Sequence, residues 1–458
     1  MKTSKLQFKT SPVERYSYAV YFFGQLIFFM LVSNFLQLYM TDSGIPATLV
    51  GGIFITAKVW DAINDPLFGV VVDKTRFKGG KYLPWVRLSS FLIPLTTILL
   101  FSVPTGASVQ IKAIWVTVAY MLWDTSYTIC DVPIFALATS MTDELKERDW
   151  LLLVNRFFTF LGGILVVILV PMLYPNIGWT PTVIIMAVLA MATMLPVGYK
   201  AKERFFAAEE KSPRIRDLVH YLAKNKPLLI FSGALVISSL TSTGSVMSNY
   251  VAIHCLGGEE WITILALAAA LPMLISILTV QQIIKKVDKF TIYLVCSLFN
   301  MVLGVVMYFA GYHNTTTLLL LTAVRSVFSS AGTVLLIMFV ADCAEYGHFV
   351  TGERAQGMAF SIQTFTAKIT MALSGAIGMF FLGAVGFIEG TGATQTPETI
   401  EWIWRLYTIV PLFSGSIAFL LILFGYKLRT RDVVVMMQVN KGELTKEAAQ
   451  EKLSRSYN

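Results

Sequence analysis

Long apolar runs separated by short polar segments organise the chain. Runs of roughly 20 mostly apolar residues begin near Tyr18, Thr48, Arg87, Ala113, Leu151 and Pro181, then again near Leu228, Trp261, Phe290, Thr317, Gly357 and Trp402. A helix of about 20 residues crosses about 30 Å of hydrocarbon, so each run predicts one membrane span. Between the sixth and seventh runs lies a charged stretch, residues 200–226, that holds Pro213 and is followed by Pro227. The pattern predicts an all-α integral membrane protein with twelve transmembrane helices in two six-helix bundles, residues 1–199 and 228–427. Residues 200–227 form a cytoplasmic connector and residues 428–458 a cytoplasmic tail.

Composition removes the soluble alternatives. Of 458 residues 55% are hydrophobic and 14% charged, with a mean hydropathy of +0.67. Soluble domains carry about 25% charged residues. The net charge of +8 would point to nucleic acid in a soluble protein. Here the Lys and Arg residues sit between apolar runs, and no nucleic-acid recognition motif accompanies them.

Those basic residues also set an orientation. One side receives Lys2, Lys5, Lys9 and Arg15, then Lys74, Arg76, Lys78 and Lys81, then Lys146 and Arg148. The connector, Lys285, Lys286 and Lys289, and the segment from Lys427 to Arg431 join them. The opposite turns hold a single Lys or Arg, Lys112. The positive-inside rule places both termini in the cytoplasm of a cell (inner) membrane protein. Met1 to Arg15 is polar and basic without an apolar core, so no removable signal peptide is expected.

No HExxH, P-loop, CxxC or His/Cys cluster is present, which argues against an enzyme and against a resident cofactor. The four cysteines, Cys130, Cys255, Cys296 and Cys343, read as small apolar core residues. Ionisable residues inside spans carry the chemistry instead, since each costs roughly 2.5–3.5 kcal/mol to insert. The second run contains Trp60-Asp61-Ala62-Ile63-Asn64-Asp65-Pro66, with Asp61, Asn64 and Asp65 on one helical face. Two neighbouring carboxylates in poor solvent need a counter-charge. A bound Na+, Li+ or H+ at Asp61 and Asp65 supplies it, as would basic residues on neighbouring helices.

The fourth run carries Tyr127, Thr128 and Asp131, the fifth Arg156, the eleventh Thr364 and Lys368, and the tenth Arg325. Asp61, Asp65 and Asp131 against Arg156 and Lys368 leave a net of minus one, which one monovalent cation neutralises. Gln25, Asn34, Gln37, Asn249 and Gln363 add hydroxyl-binding groups, and Trp123, Tyr127 and Phe135 add rings for a sugar face.

Six plus six helices resemble the parallel-repeat architecture of the major facilitator transporters, which bind substrate between two halves. The motifs resemble, more narrowly, the glycoside–pentoside–hexuronide:cation symporters, the family of the melibiose permease. The second-run motif continues into Gly69, Asp73, Lys74, Thr75 and Arg76, then Gly80-Lys81-Tyr82 and Pro84-Trp85. Asp131-Val132-Pro133, Asn155-Arg156-Phe157-Phe158, Ala341-Asp342, Glu345-Tyr346-Gly347, Thr351-Gly352, Arg354 and Gln363-Thr364-Phe365 with Lys368 follow in order. The resemblance implies a secondary transporter that couples sugar entry to a cation by alternating access. It implies cation binding at Asp61, Asn64, Asp65 and Thr128. Sugar binding falls to Asp131, Arg156, Tyr127, Gln25, Gln363, Thr364 and Lys368. A cytoplasmic gate of charged loops falls to Asp73, Arg76, Asp342, Glu345, Tyr346 and Arg354.

Two positions depart from that pattern. A first-helix carboxylate is replaced by Leu26, and a tenth-helix tryptophan by Thr333. A pocket altered in this way, with Arg156 and Lys368, suits an acidic sugar such as a hexuronide. The expected partners are a small sugar, a monovalent cation and the lipid bilayer, with the chain a monomer. A lysolipid carrier of the same fold and a non-transporting sensor are the competing readings.

Overall fold

The computed structural model describes residues 8–75, 77, 79–205, 215–238, 243–352 and 356–455. Among them the regular structure is helical, apart from one isolated bridge between Phe77 and Gly80. The chain divides into two compact units, Met1–Glu210 with Leu382–Gln395, and Lys211–Phe381 with Thr396–Asn458.

The first unit holds α1 (Pro12–Asp42), α2 (Ala47–Lys74), α3 (Leu83–Leu100), α4 (Val109–Met141), α5 (Leu145–Ile177) and α6 (Trp179–Lys200). The second holds α7 (Ile215–Lys224), α8 (Lys226–Ser238), α9 (Thr243–Tyr250), α10 (Glu260–Ile283), α11 (Lys289–Ala310) and α12 (Thr315–Thr351). It also contains most of α13 (Gln356–Ala384), and α14 (Pro397–Gly425), α15 (Thr430–Asn440) and α16 (Lys446–Lys452).

Ten helical segments among the described residues are long and apolar enough to span a membrane, with Lys226–Cys255 as one of them. The two other long helices, α2 with 28 residues and α4 with 33, are not among the ten. Both match a span in length, but α2 carries Lys58, Asp61 and Asp65, and α4 carries Lys112, Asp124 and Asp131. The two helices left out of the ten are therefore the ones that hold the buried Asp61 and Asp124.

The units repeat one another in detail. The first span of each unit carries a π-turn, Leu31–Phe35 in the first and Val251–Cys255 in the second. The residue before each turn, Met30 or Tyr250, has φ −69° and ψ −36° in both cases. In both units the first span packs on the sixth, the second on the fourth, and the third on the fourth and sixth. In the first unit α1 also packs on α5, where small residues permit it. A Cβ at Gly162 would lie 2.5 Å from the Phe23 carbonyl oxygen, and one at Gly24 would lie 2.5 Å from that of Ala190.

Chain ends and connections are bound into the units. Glu147, 1% exposed, accepts from the Lys9 and Thr10 amides at 3.0 and 3.1 Å and from the Thr142 hydroxyl at 2.8 Å. The start of the connector is a strap. Glu203 accepts from the Lys81, Tyr82 and Leu83 amides at 2.7, 2.8 and 2.7 Å, which caps the N-terminus of α3. Gly80 has φ +118°, and a Cβ there would lie 2.6 Å from that same carboxylate, so glycine is required twice over. Arg204 donates to Glu14 at 2.8 Å, and its amide donates to the Ser140 carbonyl at 2.7 Å. The tail folds back in the second unit, where the Ser454 hydroxyl donates to Asp432 at 2.5 Å.

Candidate functional site

The polar groups of α2 and α4 meet in register. Lys58 stands opposite Asp124, Trp60 opposite Thr125, and Asn64 and Asp65 opposite Thr128, so the two helices run parallel. On α2, Lys58, Asp61, Asn64 and Asp65 recur at helical spacing; on α4, Asp124, Thr128 and Asp131 do the same at four and seven residues. The indole nitrogen of Trp60 donates to the Thr125 hydroxyl at 2.9 Å and pins the register.

At the lower level of this seam the Asn64 amide donates to the Thr128 hydroxyl oxygen at 3.0 Å. Thr128 in turn donates to Asp65 Oδ1 at 2.9 Å, and its oxygen also lies 3.1 Å from the Asp124 carbonyl. Asn64 and Thr128 are buried, at 8% and 5% exposure. The Asp65 and Thr128 oxygens thus meet across two helices beside the Asn64 side-chain amide, and oxygen ligands are of the hard kind that suits Na+, Li+ or a proton.

At the upper level the Lys58 ammonium lies 3.4 Å from Asp61 Oδ2 and 3.7 Å from Asp124 Oδ1. Asp61 and Asp124 are both buried. Part of the counter-charge for the α2 carboxylates therefore comes from α2 itself. Lys58 and Asp124 are absent from the sequence-based charge count, and as one charge of each sign they leave its balance unchanged. Their signal was present: Lys58 lies one turn before Asp61, and Asp124 one turn before Thr128.

One turn beyond Thr128, Asp131 accepts from the Gln25 side-chain amide of α1 at 3.1 Å. Tyr127 stacks on Trp123 with ring centroids 5.1 Å apart, and Phe29 lies 5.9 Å from Tyr127. Trp123 is buried and donates to Thr97 at 3.0 Å, which makes it a supporting ring behind Tyr127. Leu26, beside Gln25, packs toward α5, where a Cβ on Gly163 would lie 3.2 Å from its Cδ2.

Other expected residues are on other helices. Arg156 is exposed on α5, and its guanidinium is not brought to the Asp131 carboxylate. Gln363, Thr364 and Lys368 share α13 in the second unit, with the Thr364 hydroxyl donating to the Phe360 carbonyl at 3.0 Å. Arg325 is turned toward α11, where it donates to Asn300 at 2.9 Å.

Three of the expected gate residues stand on a helix, not in a loop. Helix α12 continues through Thr351, and Asp342, Glu345 and Tyr346 all lie on it. Asp342 receives the Lys289 ammonium at 2.7 and 2.5 Å; Glu345 receives the Asn440 amide from α15 at 2.9 Å; Tyr346 is buried in the core of the second unit. Gly352, at φ +74°, ends the helix. Arg76 and Arg354 lie outside the described residues, as do the side chains of Asp73 and Thr333.

Comparison with known proteins gives a consistent result. A family model described as MFS/sugar transport protein matches residues 17–430. The isoprimeverose transporter of Lactiplantibacillus pentosus is 27% identical over 428 residues, covering 90% of this chain and 88% of that one. The glucuronide carrier protein homolog of Escherichia coli (strain K12) is 25% identical over 409 residues, covering 86% and 88%. Among solved structures, the nucleoside transporter NupG matches with a TM-score of 0.63 at 12% identity, over 91% of this chain and 100% of NupG.

Proposed function

This chain belongs to the MFS/sugar transport protein family, among its glycoside–pentoside–hexuronide:cation symporters, and on that footing we propose that it carries a glycoside or related sugar, acidic sugars included, together with a monovalent cation. It is a transporter and not an enzyme. The observation that carries the reading is the α2–α4 seam, where Asn64, Asp65 and Thr128 converge and Asp131 follows one turn away.

The physical logic is electrostatic. Neighbouring carboxylates about 6 Å apart repel by about 3 kcal/mol at an effective dielectric near 20. A cation held by Asp61, Asn64, Asp65 and Thr128 removes what Lys58 leaves of that repulsion and ties α2 to Thr128 of α4. Sugar hydroxyls are assigned to Asp131, Arg156, Tyr127 and Gln25, with Gln363, Thr364 and Lys368 from the second unit. Tightening of α4 by the cation orients Asp131 and Tyr127, which lie on the same helix as Thr128. Cation and sugar binding are then coupled through one rigid element.

Na+, Li+ and H+ all fit this donor set. The proposal includes twelve spans in two six-helix bundles, residues 1–199 and 228–427, with connector 200–227 and tail 428–458. It further places both termini in the cytoplasm, in a monomer of the cell (inner) membrane that works by alternating access, with Asp73, Arg76, Asp342, Glu345, Tyr346 and Arg354 at its cytoplasmic gate.

Thermal stability of the purified protein tests this against a sugar panel that includes uronides, each with Na+, Li+ or acidic pH. A ligand at 100 times its Kd stabilises the folded state by about 2.7 kcal/mol. The expected result is a shift for one sugar that grows with one cation. A shift with lysolipids and with no sugar overturns the saccharide reading. Binding without counterflow in vesicles overturns transport.

A further inference from the structure

Lys58 and Asp124 do more than balance charge beside the cation site. We propose that Lys58 is a tethered internal cation that competes for Asp61, and that Asp124 is the positioning residue that receives its ammonium when the coupling cation loads. The proposal rests on the cation-coupled reading above and adds a partner exchange that the reading does not contain.

Three observations carry it. The ammonium lies between two carboxylates, 3.4 Å from Asp61 Oδ2 and 3.7 Å from Asp124 Oδ1, so a small displacement exchanges one for the other. Asp124 is 5% exposed, and its second oxygen, Oδ2, is fully buried and receives no hydrogen bond among the described residues. A buried carboxylate oxygen left without a donor is costly, and an arriving ammonium satisfies it. Lastly, Trp60 and Thr125 lock the helices at this level, so the exchange needs a side-chain motion and no helix slip.

The order of events follows from the charges. With no cation loaded, Lys58 neutralises Asp61, so Asp61 and Asp65 are not both bare on the α2 face. An incoming cation at Asp61 and Asp65 repels the ammonium, which cannot remain unpaired in a medium of low dielectric. Asp124 accepts it and forms a neutral pair with it. Release runs in reverse, with Lys58 returning to Asp61 and helping to expel the cation. Affinity is thereby set by the difference between the two Lys58 pairings.

The test measures apparent affinities for Na+, Li+ and H+ separately, from the thermal midpoint of the purified full chain titrated with each. Asp124→Asn leaves Asp61 as the one carboxylate partner for Lys58, and the affinity for the coupling cation is expected to fall about tenfold or more. Asp124→Glu, which keeps the carboxylate, is expected to remain within about threefold of the native chain. The double variant Lys58→Met with Asp124→Asn removes the competitor along with its acceptor, and affinity is expected to return to the native value or exceed it. A structural role for Asp124 would lower the cation-free midpoint in the single variant, with no recovery of affinity in the double variant. That pattern overturns the proposal, as does native affinity in Asp124→Asn. A native chain that responds to none of the three cations overturns the coupled reading itself, and this proposal falls with it.

Discussion

Thr128 on α4 donates its hydroxyl hydrogen to the carboxylate of Asp65 on α2 at 2.9 Å. That contact, with Trp60–Thr125 and Asn64–Thr128, joins the helix that carries the cation carboxylates to the helix that carries Asp131 and Tyr127.

Thr128→Val keeps the shape of that side chain and removes its hydroxyl. Asn64 and Asp65 both lose this hydrogen bond, and a buried polar group left unsatisfied costs about 1–3 kcal/mol. Apparent cation affinity is expected to fall by at least tenfold, with the fold intact by circular dichroism. Thr128→Ser, which restores the hydroxyl, is expected to recover it.

Asp61→Cys and Asp65→Cys each remove a carboxylate from the α2 face. Uphill accumulation of sugar into energised vesicles is expected to be lost in both. Normal accumulation by both variants would place the cation elsewhere.

Asp131→Asn and Gln25→Leu break the α1–α4 hydrogen bond of 3.1 Å from either side. Sugar-dependent stabilisation is expected to weaken strongly in the first and moderately in the second. Cation-dependent stabilisation should persist in both, because Asn64, Asp65 and Thr128 are untouched. Arg156→Ala, exposed on α5, is expected to lower sugar binding with no loss of midpoint in the absence of ligand.

Lys289 and Asp342 form an ion pair that is 14% and 12% exposed. Breaking such a pair from one side leaves an uncompensated charge and costs about 3 kcal/mol or more. Lys289→Met and Asp342→Leu are each expected to lower the midpoint substantially. The double variant should recover most of the loss, which a double-mutant cycle on melting would measure.

Glu203→Ala removes the acceptor of three amides at the start of α3. Loss of a helix N-cap costs about 1–2 kcal/mol. Protease nicking within residues 79–82 is expected to accelerate, since the Gly80 turn loses the carboxylate that it surrounds.

Much of the first unit's chemistry was legible in the chain. Helical spacing alone put Asp61, Asn64 and Asp65 on one face and Thr128 and Asp131 on another. Lys58 and Asp124 were equally legible by spacing, yet each resembles an ordinary lipid-edge or core charge until its partner is known. Their pairing depends on the register between α2 and α4, which no local pattern specifies. Conversely, Asp342, Glu345 and Tyr346 read as loop because charged residues cluster there. Lys289 and Asn440 neutralise or bind those charges from distant positions, and the helix continues through them.

The sequence by itself determined the class of molecule, the apolar segments that become spans, and the identity of the carboxylates that must be neutralised. Those follow from local quantities: hydropathy over about 20 residues, helical periodicity, and the cost of burying a charge. Tertiary structure alone decided which charge meets which, why Arg325 turns to Asn300, and how Glu203 reaches back to α3. Such pairings are set where helices far apart in sequence pack side by side, and a single distance of about 3 Å there changes a buried ion from a penalty into a working part.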